Sequence, residues 1–240
     1  MARLFAGTSG FAYSSWKPNF YPQKLASKDF LSFYSKRLNS TEVNYTFRQL
    51  PKASTLESWV AATPGQFVFA LKAHMRLTHI LKLQNASEFL EVFLRAIDPL
   101  RSCRRLGPVL FQLPPQMKCD ATVLRDFLAL LPRDARFTFE FRHDSWLQEE
   151  VYTALADHGV ALCLAESEKL VVPDVVTSDF VYARLRKPDY SSEDLSEIAR
   201  KAESTLSSGK DLYVYFKHEE TPDGALHAEQ LLVTLAELRP

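Results

Sequence analysis

The sequence has little of several features that would place a protein in an easily identified class. It holds only 7 glycines and has no Gly/Ser-rich or Pro-rich stretch, so it contains no candidate flexible linker. No run approaches the ~20 apolar residues of a membrane-spanning helix. Lys plus Arg is 29 and Asp plus Glu is 29, so the formal net charge is zero. This balance argues against a protein that coats nucleic acid or an anionic membrane through bulk charge.

Cysteines are also few, and the motifs of several enzyme classes are absent. Cys103, Cys119 and Cys163 are odd in number and far apart, so they predict reduced thiols rather than a disulfide framework or a zinc site. Neither the G-x-x-x-x-G-K-[ST] phosphate loop nor the G-x-S-x-G pattern of serine hydrolases occurs. The apolar stretch at the N-terminus is too short for a signal peptide. We therefore expect a cytoplasmic protein with no membrane partner.

What the sequence does contain is a repeated alternation of two kinds of segment. Short runs rich in β-branched and aromatic residues predict strands, and apolar residues at helical spacing lie between most of them. The runs are 3–7, 41–45, 67–73, 109–113, 137–142, 161–166, 180–186 and 212–217. Alternating strands and helices favour a parallel sheet, and the length is close to the ~250 residues of an eightfold barrel. We predict one domain over residues 1–240 with the α/β fold of a (β/α)8 TIM-type barrel.

Details of the helices can also be predicted. Residues 167–179, SEKLVVPDVVTSD, leave little room for a helix between the sixth and seventh strands, and Pro173 would interrupt one. We therefore expect a reduced or missing helix there. Ser27, Asp120 and Ser191 or Ser192 stand where other helices would begin and are predicted N-caps.

Polar residues within each predicted strand have one parity, which means that they occupy every second position and lie on one face of the strand. They concentrate at the C-terminal ends of the strands. In the fifth run, for example, Glu140 and Arg142 alternate with Phe139 and Phe141. An open parallel sheet has helices on both faces and nearly continuous apolar strands, whereas only the outer face of a barrel meets helices. The parity therefore predicts a barrel whose C-terminal mouth gathers seven ionisable residues. They are Glu42, Lys72, Glu140, Arg142, Glu166, Arg184 and Lys217.

These groups must pair with one another or meet a ligand, because isolated buried charges cost several kcal/mol. One alternative is a self-neutralising salt-bridge network. The other is a ligand site, since active sites of this fold lie at this end of the barrel. Four cations against three carboxylates favour an anionic, phosphorylated or sugar-like small molecule. Glu140 is the first candidate for a general base and Glu42 the second, with Lys72 as a third catalytic candidate.

Other polar and aromatic side chains complete the predicted binding site. The predicted ligand-binding residues are Arg142, Arg184, Asn44, Gln112, Ser9, Tyr13, Trp16 and His79. The two arginines suit an oxyanion, which guanidinium groups bind through paired hydrogen bonds. The aromatic residues of loop 7–22 either stack on a ring of the ligand or form a plug beneath the loop. The polar turn at residues 217–225 is a second candidate phosphate site.

Cofactor and function classes can be narrowed further. Glu42, Glu140, Glu166, His79 and His143 offer hard metal ligands, but no H-x-H or H-x-x-x-H spacing occurs and the nearby cations oppose a metal ion. We expect no metal and no cofactor. Three readings stay open: an enzyme of the hydrolase, lyase or isomerase type, a protein that binds or processes a nucleic-acid backbone, and a non-catalytic ligand-binding barrel.

Seven segments of the sequence together resemble one protein family. In chain order they are GTSGFAYSSWKPNFYP, EVNYTFRQLP, FALKAHMRLTH, LGPVLFQLPP, FEFRHDSW, FVYARL and YVYFKHEE. They resemble the domain-of-unknown-function 72 family, also called YecE-like, over nearly the whole chain. The resemblance implies a barrel of the triosephosphate isomerase type and brings no established activity.

Overall fold

A computed structural model describes residues 1–217 and 220–238 of the chain. The strands are β1 (Leu4–Thr8), β2 (Ser40–Val43), β3 (Val68–Lys72), β4 (Leu106–Gln112), β5 (Phe137–Glu140), β6 (Ala161–Ala165), β7 (Phe180–Leu185) and β8 (Asp211–Phe216). The helices are α1 (Phe30–Tyr34), α2 (Tyr45–Arg48), α3 (Ala53–Ala61), α4 (Ser87–Ser102), α5 (Ala121–Leu128), α6 (Glu149–Asp157), α7 (Ser192–Ser207) and α8 (Asp223–Leu238). Within these described ranges, no helix is long and apolar enough to cross a membrane. The candidate phosphate turn at 217–225 includes residues 218–219, which lie outside them.

All eight strands are parallel and follow one another around a barrel. The sheet order is β1-β8-β7-β6-β5-β4-β3-β2. An isolated parallel bridge between Ser9 and Glu42 joins the two ends of this sheet. There the backbone N–H of Gly10 donates to the carbonyl of Glu42 at 2.8 Å. The predicted (β/α)8 fold is confirmed.

The predicted absence of a full helix between β6 and β7 is also confirmed. The structure describes the whole of residues 166–179 and shows no helix in this segment. The Thr177 hydroxyl donates to the carbonyl of Val160 at 2.7 Å and accepts from the N–H of Leu162 at 2.8 Å. The segment is therefore attached to the start of β6 through this side chain, and Pro173 lies in the part before it, which forms neither helix nor strand.

Two of the predicted N-caps are confirmed and one is wrong. The Asp120 carboxylate accepts from the N–H of Val123 at 3.0 Å at the start of α5. Ser191 and Asp194 form a reciprocal capping box at the start of α7. Ser27 instead lies inside a short 3-10 turn, and Ala26 occupies the position before it.

The core has two layers that follow the predicted parity. Outside the barrel, Phe111 and Phe139 stack at 5.1 Å, and Phe127 of α5 packs against both. The interior is filled by buried side chains, so it is a packed core and not a pore. These are Phe5, Val68, Ala70, Leu110, Ala161, Cys163, Ala165, Phe180, Tyr182, Tyr213 and Tyr215.

Candidate functional site

Charged and amide side chains from neighbouring strands meet at the C-terminal mouth of the barrel. The register places Gln112, at the end of β4, beside Glu140, at the end of β5. Lys72 ends β3, and Arg184 lies one residue before the end of β7. The side chains of these residues converge at the mouth as predicted, because they occupy alternate strand positions and every second residue of a barrel strand points inward.

The carboxylate of Glu140 receives hydrogen bonds from four side chains. Arg184 Nη1 donates to it at 2.5 Å and Gln112 Nε2 at 2.8 Å. Arg142 Nε donates at 2.9 Å and Arg186 Nη2 at 3.0 Å. Glu140 is only 1% exposed. A buried carboxylate is strongly destabilising unless it is paired. The three guanidinium groups therefore stabilise Glu140 together, and the four side chains form one ion-pair cluster.

Glu42 forms a second buried centre, which Arg184 connects to the first. Arg184 Nη2 and the Ser9 hydroxyl each donate to its carboxylate at 2.6 Å, and the Tyr182 hydroxyl donates at 2.7 Å. The amide nitrogen of Asn44 donates to the Ser9 hydroxyl oxygen at 2.9 Å. Arg184 itself is 2% exposed. Arg184 therefore forms ion pairs with both buried carboxylates and connects the two centres beneath the mouth.

The electrostatics of this network keep both carboxylates ionised. Burial would raise the pKa of Glu140, but Arg184, Arg186 and Arg142 outweigh it and hold that pKa well below its usual range. For Glu42, burial is likewise outweighed, mainly by Arg184 and the Ser9 hydrogen bond, and its pKa is lowered. Both groups are consequently weak proton acceptors at neutral pH. The lowered pKa values of Glu42 and Glu140 therefore favour a role in positioning the arginines over the general-base roles predicted for these two carboxylates.

Lys72 and His79 occupy a different part of the mouth, around the ring of Phe47. Lys72 Nζ donates to Gln112 Oε1 at 2.9 Å and lies 4.0 Å from the centroid of the Phe47 ring. The His79 ring packs edge-on against the same ring at 5.1 Å, and its Nδ1 lies 2.8 Å from the Thr78 hydroxyl. Burial, followed by the charge of Arg184, lowers the pKa of Lys72 to about 8. Burial, Lys72 and Arg142 lower the pKa of His79.

A cavity of about 180 Å³ opens beside Glu140. It is lined by Pro115, Glu140, Phe141, Arg142, Ala165, Ser167, Lys169, Leu170, Val172 and Arg186. This volume is below the ~300–1,000 Å³ of a drug-sized pocket and suits a small anion or a small metabolite. A larger groove of about 460 Å³ runs along α4, away from the mouth, and none of the mouth residues lines it.

The charges of the hydrogen-bonded network beside this cavity do not cancel. Glu42 and Glu140 contribute two negative charges, whereas Arg142, Arg184 and Arg186 contribute three positive ones. Protonated Lys72 adds a fourth. The salt-bridge network that the sequence offered as one alternative is therefore present, but the groups that form it carry an excess of positive charge.

Two further predicted members of the mouth lie at its rim. The Glu166 carboxylate accepts from the backbone N–H groups of Arg186, at 2.6 Å, and Lys187, at 3.0 Å, so it orders the segment after β7. It also accepts from the Tyr190 hydroxyl. Lys217 is exposed just beyond the end of β8. In the part of the chain that the structure describes, neither side chain bonds the Glu140 carboxylate.

The aromatic residues of loop 7–22 separate into a buried group and a rim residue. Trp16 is 0% exposed and packs against Phe20 at 5.6 Å and Tyr21 at 5.9 Å. Trp16 therefore belongs to an aromatic plug beneath the loop, and its buried position does not support the predicted contact of Trp16 with a ligand. Tyr13 is partly exposed, and its hydroxyl donates to the carbonyl of Ser9 at 3.0 Å. Ser9 is itself buried in the network with Glu42.

Arg186 and Tyr182 are members of the network that we did not predict as site residues. Arg186 bonds Glu140, and Tyr182 bonds Glu42. Both share the parity of Arg184 in the seventh run, so the alternation that selected Arg184 also contained the signal for them. Their role follows from the partners they meet, which depend on the closure of the barrel.

No candidate metal centre emerges in the part of the chain that the structure describes. There, no group of three or more His, Cys, Asp or Glu side chains is placed to hold a metal ion. The oxygens of Glu42 and Glu140 instead face guanidinium, hydroxyl and amide donors.

Solved structures resemble this chain over almost their whole length. A DUF72 family protein from Thermotoga maritima MSB8 is 26% identical and superposes with a TM-score of 0.85, covering 98% of this chain and 99% of its own. A second, from Enterococcus faecalis V583, is 17% identical with a TM-score of 0.80, covers 98% of each chain, and supports the fold alone.

Sequence comparison leads to the same family. The UPF0759 protein YunF of Bacillus subtilis (strain 168) is 30% identical over 139 residues, which cover 55% of this chain. The match spans about half of that relative, 49% of its length. The family model described as "Protein of unknown function DUF72" matches residues 5–239. The chain therefore belongs to the DUF72 family.

Proposed function

We propose that the C-terminal mouth binds a small anionic molecule, phosphorylated or sugar-like, and that the protein is an enzyme that acts on it. The observation that supports this proposal most directly is the excess of positive charge beside the cavity. Three guanidinium groups share the carboxylate of Glu140, and two of them, Arg142 and Arg186, line the cavity. Their side chains are 37% and 17% exposed, so a ligand can reach them.

The hydrogen bonding of these two arginines leaves donors for a ligand. Arg142 contacts Glu140 through Nε, and among the described residues no acceptor bonds its two terminal nitrogens. Arg186 contacts Glu140 through Nη2, and in the same part of the chain no acceptor bonds its Nη1. Guanidinium groups that a carboxylate already holds lose little freedom when they bind an oxyanion. The arrangement therefore supports the capture of a phosphate or carboxylate group.

The test is a calorimetric titration with inorganic phosphate and with a sugar phosphate, in the presence and absence of a chelator. Arg142→Ala is expected to weaken binding about 10- to 150-fold, which corresponds to the ~1.5–3 kcal/mol of a charge-assisted hydrogen bond. Arg95→Ala, at an exposed position on α4, is the matched control and should leave the affinity unchanged. The same affinity is expected with the chelator present.

Four outcomes would contradict the proposal or one part of it. Heat without saturation for every anion would favour a purely structural network, and unchanged affinity in Arg142→Ala would remove this residue from the site. Oligonucleotide binding that weakens steeply with salt, without binding of small anions, would favour a nucleic-acid backbone as the partner. Saturable phosphate binding without turnover of any sugar phosphate would favour a ligand-binding barrel.

A further inference from the structure

Lys72 differs from the arginines of the mouth in what it contacts. Arg142, Arg184 and Arg186 each form an ion pair with Glu140. Lys72, in contrast, forms no ion pair with any carboxylate in residues 1–217 and 220–238, and its ammonium group meets the neutral amide of Gln112 and the face of Phe47. The amine therefore lies in the mouth for which we propose anion binding, and it has no carboxylate partner among the described residues.

Its surroundings disfavour the charged form of this amine. Burial removes water from it, and the positive charges of Arg184 and Arg142 act in the same direction. Glu42 and Glu140 compensate only in part, so the pKa is about 8 instead of 10.5. At pH 7 about a tenth of Lys72 is then the neutral amine, roughly 300-fold more than for an ordinary lysine. Desolvation and neighbouring cations activate lysine nucleophiles in this way.

We propose that Lys72 is an amine nucleophile that forms an imine with the aldehyde or ketone group of an anionic substrate. This inference rests on the proposed function, because the anionic group of that substrate would lie against Arg142 and Arg186. Lys72 is connected to these arginines by hydrogen bonds, since Gln112 accepts from Lys72 Nζ and donates to Glu140, which holds both guanidinium groups.

The covalent step is balanced without any further reactant. The lone pair of neutral Lys72 Nζ attacks the carbonyl carbon, a C–N bond forms, and the carbonyl oxygen becomes a hydroxyl group. That oxygen then leaves as water with the two protons that the neutral amine carried, and an imine remains. No atom is oxidised or reduced. Protonation of the imine would favour loss of a proton or a carbon–carbon bond at the adjacent carbon, as in an isomerase or a lyase.

The probe for this proposal is pyridoxal 5′-phosphate, which carries an aldehyde and a phosphate group on one small molecule. The wild-type protein is treated with it, reduced with borohydride, digested and analysed by mass spectrometry. At pH 7, Lys72 is expected to be labelled at least tenfold faster than the exposed Lys36 at the opposite end of the barrel. The rate should reach half of its plateau near pH 8, and added inorganic phosphate should slow it.

Further outcomes separate this inference from the proposed function. Lys72→Arg keeps a positive charge but cannot form an imine, so it should lose the label and retain phosphate affinity within about threefold. Saturable phosphate binding together with labelling of Lys72 no faster than that of Lys36 would overturn the inference and leave the anion site standing. Rapid labelling of Lys72 by the uncharged aldehyde glyceraldehyde, with no effect of phosphate, would support the nucleophile and contradict the anion site.

Discussion

Replacing Arg184 with methionine is expected to destabilise the fold by about 3–5 kcal/mol, the usual cost of removing one partner of a buried ion pair. Arg184 is 2% exposed and bonds two carboxylates at 2.5 and 2.6 Å. Glu140 would keep Arg142 and Arg186, whereas Glu42 would retain the Ser9 and Tyr182 hydroxyl donors and no guanidinium group among the described residues. Most of the loss therefore arises at Glu42, which would be buried without a guanidinium partner.

Equilibrium unfolding in urea measures this cost, with two further variants for comparison. Arg142→Gln removes a side chain that is 37% exposed, so it should cost under about 1 kcal/mol. Adding Glu42→Gln to Arg184→Met removes the unpaired charge and should recover about 2 kcal/mol or more. A loss below about 1 kcal/mol in Arg184→Met, or no recovery in the double variant, would refute this account of the network.

The pH dependence gives an independent check on the same reasoning. In the wild type, the pKa values of Glu42 and Glu140 lie below the ordinary 4.5. The stability that these carboxylates contribute is therefore fully present above pH 4.5 and decreases as the pH falls below it. In Arg184→Met, burial should instead raise the pKa of Glu42, so protonation would relieve the destabilisation. The difference in stability between the two proteins should narrow from pH 7 to pH 4, and a constant difference would contradict the assignment.

Two other predictions follow from Lys72 and Gly7. The pKa of Lys72 falls from 10.5 to about 8 on folding, so the free energy of unfolding of the wild type should rise by about 2–3 kcal/mol relative to that of Lys72→Met between pH 8 and 10.5. Urea unfolding at each pH measures this rise. A difference between the two proteins that does not change with pH would contradict the pKa shift. Gly7→Ala would place a Cβ 1.9 Å from the carbonyl oxygen of Ser40 and should destabilise the fold by roughly 3 kcal/mol or more. Gly65→Ala, whose Cβ would meet nothing within 4 Å, should change thermal stability by less than about 0.5 kcal/mol, and equal effects of the two alanines would refute the packing argument.

The fold was predictable because the sequence carries a signal at each strand. Alternation identified which face of β5 meets helices, since Phe139 lies outside and Glu140 inside. The start of β4 was less accessible to prediction, because Gly107 and Pro108 are poor strand formers, yet the strand begins at Leu106. The pairing with β3 shifts register at this point, between Phe69 and Leu71, and accommodates both residues.

The candidate site was predictable as a set of residues but not as a set of contacts. Parity identified Arg184 but not that it joins Glu42 to Glu140, because these residues are 142 and 44 positions away along the chain. The burial of Trp16 was only one of two alternatives from the sequence, because the choice between them depends on how loop 7–22 packs against α1. Local patterns carry no information about such long-range packing.

Anomalous diffraction from crystals soaked in selenate, an analogue of phosphate and sulfate, tests most directly whether the mouth is an anion site. We expect a selenium peak in the cavity beside Glu140, with selenate oxygens within hydrogen-bond distance of the Arg142 and Arg186 guanidinium groups. The peak should disappear in Arg142→Ala crystals. Peaks confined to exposed lysines, with none in the mouth, would contradict the central claim.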